Sequence, residues 1–192
     1  MAHKRLALPL LLSLTLVCLT LPALAAEDPP TVTAQVVHSQ TAYAPGASHP
    51  LVLRFHIRPG FHINTHKPSE PDVYPTKLTW EQNPSLTFAP AIFPSPRSYK
   101  PSFSDKPMEV HDGVLEVRQS FTVAATAAPG PQVVKAKLEY QACDDQSCLM
   151  PETLEVPVTI TVAAKGKPGK PLNREVFGPS GQPGGKKASG QR

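Results

Sequence analysis

Beyond Ala25 the sequence lacks any run of about 18 apolar residues, roughly the length that a membrane-spanning helix requires. The remainder is therefore expected to be a soluble, exported protein with no transmembrane segment. A helical period is also missing between the apolar stretches, and the 24 prolines oppose long helices, since each removes a backbone donor and is excluded from a helix interior. Cysteine is scarce, with only Cys18, Cys143 and Cys148. Both later cysteines follow Trp80 and lie close together, which excludes an antibody-like Cys-Trp-Cys order. The net charge of +4 has no basic core domain behind it. Much of it comes from a Lys- and Arg-bearing tail, so the sequence is read as binding no nucleic acid.

What is present begins with an export signal. Lys4 and Arg5 form a basic start, residues 6–19 an apolar core, and Ala23-Leu24-Ala25 an A-x-A cleavage site, so residues 1–25 read as a signal peptide cut near Ala25. Cys18 lies inside it and, with Val17 before it, does not suit a lipoprotein signal. Two cysteines then remain, in a periplasmic or secreted setting that permits a disulfide. Residues 165–192 turn to Gly, Pro, Lys and Ser, a composition with too little apolar surface to offset the entropy of ordering, and are expected to be a disordered tail.

Between these lies one domain, residues 26–164. Runs of alternating apolar and polar residues occupy 31–38, 51–57, 77–81, 86–88, 114–123, 132–141 and 152–162. They are punctuated by turn signals such as Arg58-Pro59-Gly60, Asn83-Pro84, Asp112-Gly113 and Pro129-Gly130-Pro131. Short strands with this punctuation predict an all-β, immunoglobulin-like β-sandwich. Its core is expected to hold Val52, Leu53 or Phe55, Leu78 or Trp80, Leu115, Val117, Val134, Ala136 and Leu138.

The stretch YQACDDQSCLMPET is hard to explain as packing. It holds Cys143 and Cys148 in a C-x4-C arrangement between two strand-like runs, at the tips of adjacent strands. The thiols can close a disulfide if the loop brings their Cα atoms to about 5.5 Å. As a staple, such a bridge contributes only roughly 2 kcal/mol, because the loop it closes is short. A short, loop-borne, accessible disulfide is also one that a partner thiolate can attack. Spacing alone leaves both readings open. Asp144 and Asp145 disfavour a thiolate at Cys143, while Gln146 and Ser147 leave the surroundings of Cys148 neutral and make it the more plausible interchange sulfur.

Histidines at 56, 62, 66 and 111 raise the question of a metal. His62 and His66 have the spacing of one helical face, but the flanking Pro and Gly oppose a helix, and along a strand they stand about 13 Å apart. Packing or loop hydrogen bonding is the favoured role, with a His62 and His66 metal site as the weaker alternative. No cofactor is called for.

YQACDDQSCLMPETLEVPV, together with the upstream PGFHINTHKPSEPDVYPTKLTW, resembles the N-terminal periplasmic domain of the DsbD thiol:disulfide interchange proteins. The resemblance implies an immunoglobulin-like sandwich whose two cysteines cycle between dithiol and disulfide. Cys148 would form mixed disulfides with partners and Cys143 would resolve them. It also implies a cap over the pair from residues 98–105, with Tyr99 or Phe103 as the capping aromatic. Partners would be thioredoxin-like periplasmic proteins, or a membrane thiol-electron carrier acting in trans. The competing expectation is a secreted binding or assembly module whose disulfide only braces a recognition loop.

Overall fold

The structure, a computed structural model, describes residues 29–178. The expected signal peptide and its cleavage site at Ala25 lie outside the described residues. Eleven strands and one short helix are found within them: β1 (Val32–His38), β2 (Ser48–Ile57), β3 (His62–Asn64), β4 (Lys77–Trp80), β5 (Leu86–Phe88), β6 (Arg97–Tyr99), β7 (Met108–His111), β8 (Val114–Val123), β9 (Gly130–Tyr140), β10 (Ala142–Cys143), β11 (Glu152–Val162) and α1 (Arg174–Phe177). They form three antiparallel sheets, in the orders β1-β2-β8-β5, β11-β9-β4 and β10-β3-β7-β6.

The first two sheets make an immunoglobulin-like sandwich, as the alternation predicts. Successive side chains of a strand point to opposite faces. Leu51, Leu53, Phe55 and Ile57 of β2 thus bury one face, as do Leu115, Val117, Phe121 and Val123 of β8. Val134, Ala136, Leu138 and Tyr140 of β9 and Val156, Val158, Ile160 and Val162 of β11 meet them from the other sheet. Register follows from this pattern, because a one-residue slip would turn every apolar side chain to the wrong face. Leu53 accordingly faces Val117, and Val156 faces Ala136. Gln119 interrupts the apolar row of β8 and is buried. Its carbonyl accepts a bond from Trp80 Nε1 at 3.1 Å. Its amide donates to Ala89 O at 2.6 Å and to Ser120 O at 2.8 Å, so its polar atoms are satisfied. Leu78 and Trp80 are both half-buried against this core.

Two expectations are corrected together. Val52 does not lie between the sheets. It has the parity opposite to Leu51 and Leu53, and it joins Val37 in a second cluster on the outer face, closed by Val176 and Phe177 of α1. The tail expected to be disordered from residue 165 is therefore docked in its first part. Thr41 N donates to Lys170 O at 2.9 Å, Leu172 N to Ser39 O at 2.8 Å, and Asn173 Nδ2 to His38 O at 2.8 Å. A side chain at Gly169 would collide with the backbone of Ala42, so glycine is what permits this close approach. The few apolar residues in the segment suffice because β1 and β2 present an apolar outer face for them to cover. Residues 179–192 lie outside the described residues.

The third sheet stands at the end of the sandwich where β2 and β9 finish and β8 begins, and three of its four strands adjoin those strands along the chain. β3 follows β2 through the turn at Gly60, whose φ of +86° suits glycine. β10 continues from β9 after Gln141, and β7 leads into β8 through Gly113.

Candidate functional site

The cysteines meet on this small sheet through a tight reversal of the chain. Asp144 Oδ1 accepts the backbone N–H groups of Gln146 at 2.8 Å and Ser147 at 2.7 Å, the local side-chain turn that Asp readily makes. Asp144 N donates to Ser147 O at 2.9 Å, and Leu149 N to Ala142 O at 2.8 Å. These two backbone bonds bracket Cys143 and Cys148, which makes them a non-hydrogen-bonded antiparallel pair, the position where facing Cα atoms come nearest. A disulfide joins them, with Cα atoms 4.0 Å apart. That is closer than the usual separation of about 5.5 Å, because the two residues face each other directly across a hairpin. Cys143 is fully buried, whereas Cys148 is exposed, as are Leu149 and Met150 beyond it.

Across the sheet, Cys143 faces His62 of β3 on its other side. Facing residues of adjacent strands share a face, so Cys148, Cys143 and His62 form a row perpendicular to the strands. The Tyr99 ring meets the His62 ring edge-on, with centroids 4.6 Å apart. Arg97 lies over the Tyr99 ring at 4.8 Å and donates from Nε to Asp112 Oδ2 at 2.8 Å.

The region expected to cap the pair is joined to the cysteine turn through Asp145. Tyr99 donates its hydroxyl to Asp145 Oδ1 at 3.0 Å, and Ser102 N donates to Asp145 O at 3.1 Å, with the Ser102 hydroxyl bonded to the same carbonyl. Tyr99 thus reaches the turn. Phe103, the other expected aromatic, is exposed beside Ser102.

The electrostatics follow from these contacts. The two backbone donors hold the Asp144 carboxyl below its usual range, and the Arg97 bond does the same for Asp112. The bond to Asp145 raises the Tyr99 hydroxyl. At the base of the turn, Tyr140 is pushed up to about 12, chiefly by burial, and hydrogen-bonds Glu152 Oε2 at 2.7 Å. Burial, followed by the Arg97 charge, lowers His62, with Asp112, Asp144 and Asp145 acting in the opposite direction.

His62 and His66 are held apart in their contacts. His66 stacks on Phe93 at 4.4 Å, His56 is exposed, and His111 is buried on β7. Among the described residues no three His, Cys, Asp or Glu side chains come together as a metal ion would require. Sequence reasoning missed the place of His62 beside Cys143 and the anchoring role of Asp145. The signal for the first was the short His62-Ile63-Asn64 run, which is too brief to display a strand period.

A family model described as "Thiol:disulfide interchange protein DsbD, N-terminal" matches residues 32–160, which include both cysteines. The chain belongs to this DsbD N-terminal family. Among solved structures, it is similar to the reduced DsbD N-terminal domain of Neisseria meningitidis, with 18% identity, 65% of this chain and 83% of that chain covered, and a TM-score of 0.40. It is also similar to the seventh ScaB type I cohesin of Pseudobacteroides cellulosolvens, with 16% identity, coverage of 69% and 94%, and a TM-score of 0.37. No curated protein matches it.

Proposed function

We propose that this DsbD N-terminal domain is an exported, periplasmic thiol:disulfide interchange module that passes electrons through Cys143 and Cys148 to or from thioredoxin-like proteins or a membrane thiol-electron carrier. The observation that carries the reading is the asymmetry of the pair, one cysteine exposed at the end of a hairpin and the other fully buried behind it. A partner thiolate attacks a disulfide at the sulfur it can reach, forming a mixed disulfide that the second cysteine resolves. Cys148 has the first role and Cys143 the second. Three of the large apolar residues exposed among the described ones, Phe103, Leu149 and Met150, border this turn and suit a protein partner.

A specific observation also favours the brace reading: Tyr99 and Ser102 tie a second loop to Asp145, so the bridge supports more than its own turn. The two readings part in a trapping experiment. Cys143→Ala should accumulate a mixed disulfide with a thioredoxin-like protein through Cys148, and Cys148→Ala should trap little. A bridge that reduced thioredoxin leaves intact, with a potential below about −300 mV, would overturn the interchange reading in favour of the brace.

A further inference from the structure

Apart from the disulfide, the least explained group at the site is His62. The residue is 3% exposed, and its Nε2 is buried without a hydrogen-bond partner among the described residues. Native proteins pair nearly all such atoms, so one left unpaired beside a reactive group calls for a reason. The strand register supplies one. Cys143 has Cys148 opposite it on one side and His62 on the other. Facing side chains on neighbouring strands have Cβ atoms about 5 Å apart.

In the disulfide form Cys143 has no proton to offer. Reduction gives it a buried S–H one strand away from a nitrogen with an unused lone pair or N–H. Resting on the interchange reading above, we infer that His62 is the general base that takes the proton of the Cys143 thiol when the mixed disulfide is resolved. Groups facing His62 from each neighbouring element are consistent with this task. Arg97 and Tyr99 of β6 and Asp112 after β7 surround it, and Asp144 and Asp145 of the turn complete the set. Burial outweighs the three carboxylates and keeps the imidazole neutral at pH 7, in the form that accepts a proton.

The step balances as follows. With Cys148 bonded to a partner sulfur, His62 accepts the Cys143 proton and becomes imidazolium. The Cys143 thiolate attacks Cys148 Sγ, the Cys143–Cys148 bond forms, the bond from Cys148 to the partner sulfur breaks, and the partner leaves as thiolate. Over the whole exchange two protein thiols are oxidised and one partner disulfide is reduced. The imidazolium then releases its proton to the departing thiolate or to solvent. This offsets the two turn carboxylates, which by themselves oppose a thiolate at Cys143.

The test needs no protein partner, so its outcome is separate from that of the trapping experiment. The reduced protein is mixed with an aromatic disulfide whose thiolate absorbs in the visible. The first equivalent released reports formation of the mixed disulfide, and the second reports attack by Cys143. The second rate, followed against pH, should level off clearly below the value of about 8.5 that an ordinary cysteine thiol would impose. In His62→Gln, which retains hydrogen-bonding capacity but no basic nitrogen, the profile should move up by about one unit or more, so that the second release slows roughly tenfold at pH 7. The first release should change little. A wild-type profile with its midpoint at or above about 8.5, or one unchanged in a folded His62→Gln, would overturn the assignment. Should that variant fail to fold, the wild-type profile alone decides.

Discussion

The sandwich and the small sheet at its end adjoin one another along the chain, yet they use burial differently. In the sandwich the inward rows of β2, β8, β9 and β11 are largely apolar, and the polar residues set into them are partnered: Gln119 through its carbonyl and its amide, and His49 through Nε2 to Ala44 O at 2.9 Å. The small sheet buries His62, Asn64, His111 and Cys143 in a short span. Of the four buried side-chain atoms without a partner among the described residues, three belong to β3 and β7, namely His62 Nε2, Asn64 Oδ1 and His111 Nε2. Unpaired buried polar groups cost about 1–3 kcal/mol each, so such a sheet is poorly suited as a stabiliser and is tolerated because the sandwich carries the fold.

That division predicts where stability resides. Phe55→Ala, in the middle of the apolar core, removes a fully buried ring and leaves a cavity. It should cost about 4 kcal/mol by denaturant unfolding. A loss under about 1 kcal/mol would mean that the sandwich is not the stabilising unit. Phe177→Ala comes next, because it uncovers Val37 and Val52 on the outer face. Its expected cost is about 3 kcal/mol. Truncation after residue 169 should do at least as much. If truncation instead left the unfolding midpoint unchanged, the docked segment would be an ornament.

Reducing the disulfide should do less, roughly 2 kcal/mol, given the short loop it closes. Its effect should also be local. Hydrogen exchange should accelerate at the amides of Asp144 and Leu149, whose bonds bracket the pair, while β2 and β8 keep their protection. Exchange that rose equally in both regions would make the bridge a staple of the whole domain.

The same contrast explains what can be read from sequence. Strands such as 114–123 and 152–162 run long enough to display a two-residue period, and the turns between strands carry Gly or Pro, so the sandwich is legible. β3, β6, β7 and β10 are too short for a period, and exist as strands because they pair with one another. Alternation places Val52 on the wrong face because β2 is apolar on both faces where α1 covers it, which blurs the pattern. At the site, the cysteine pair is visible from spacing and from the surrounding motif. The pairing of His62 with Cys143 depends on a register between segments far apart in sequence, for which periodicity carries no information.

The smallest expected effect concerns pH, and it sharpens the comparison because it arises mostly on the polar side. Burial lowers His62, His66 and His111 from their ordinary value, with Lys67 adding to the effect at His66 and His66 at His111, and it lowers His38 on β1 as well. In the unfolded chain these imidazoles titrate near about 6.5, so as the pH falls through that value the unfolded state takes up protons before the folded state does. Their contribution is therefore fully present above about pH 6.5 and is lost progressively below it, down through the depressed folded values. The urea midpoint should fall between about pH 7.5 and about pH 5.5, a range over which carboxylates remain ionised and contribute little change. Replacing His62 and His111 together with Gln should flatten that dependence. If the double variant kept the full slope, the proton uptake would belong to His38 and His66, and the small sheet would lose its claim to be the pH-sensitive part of the molecule.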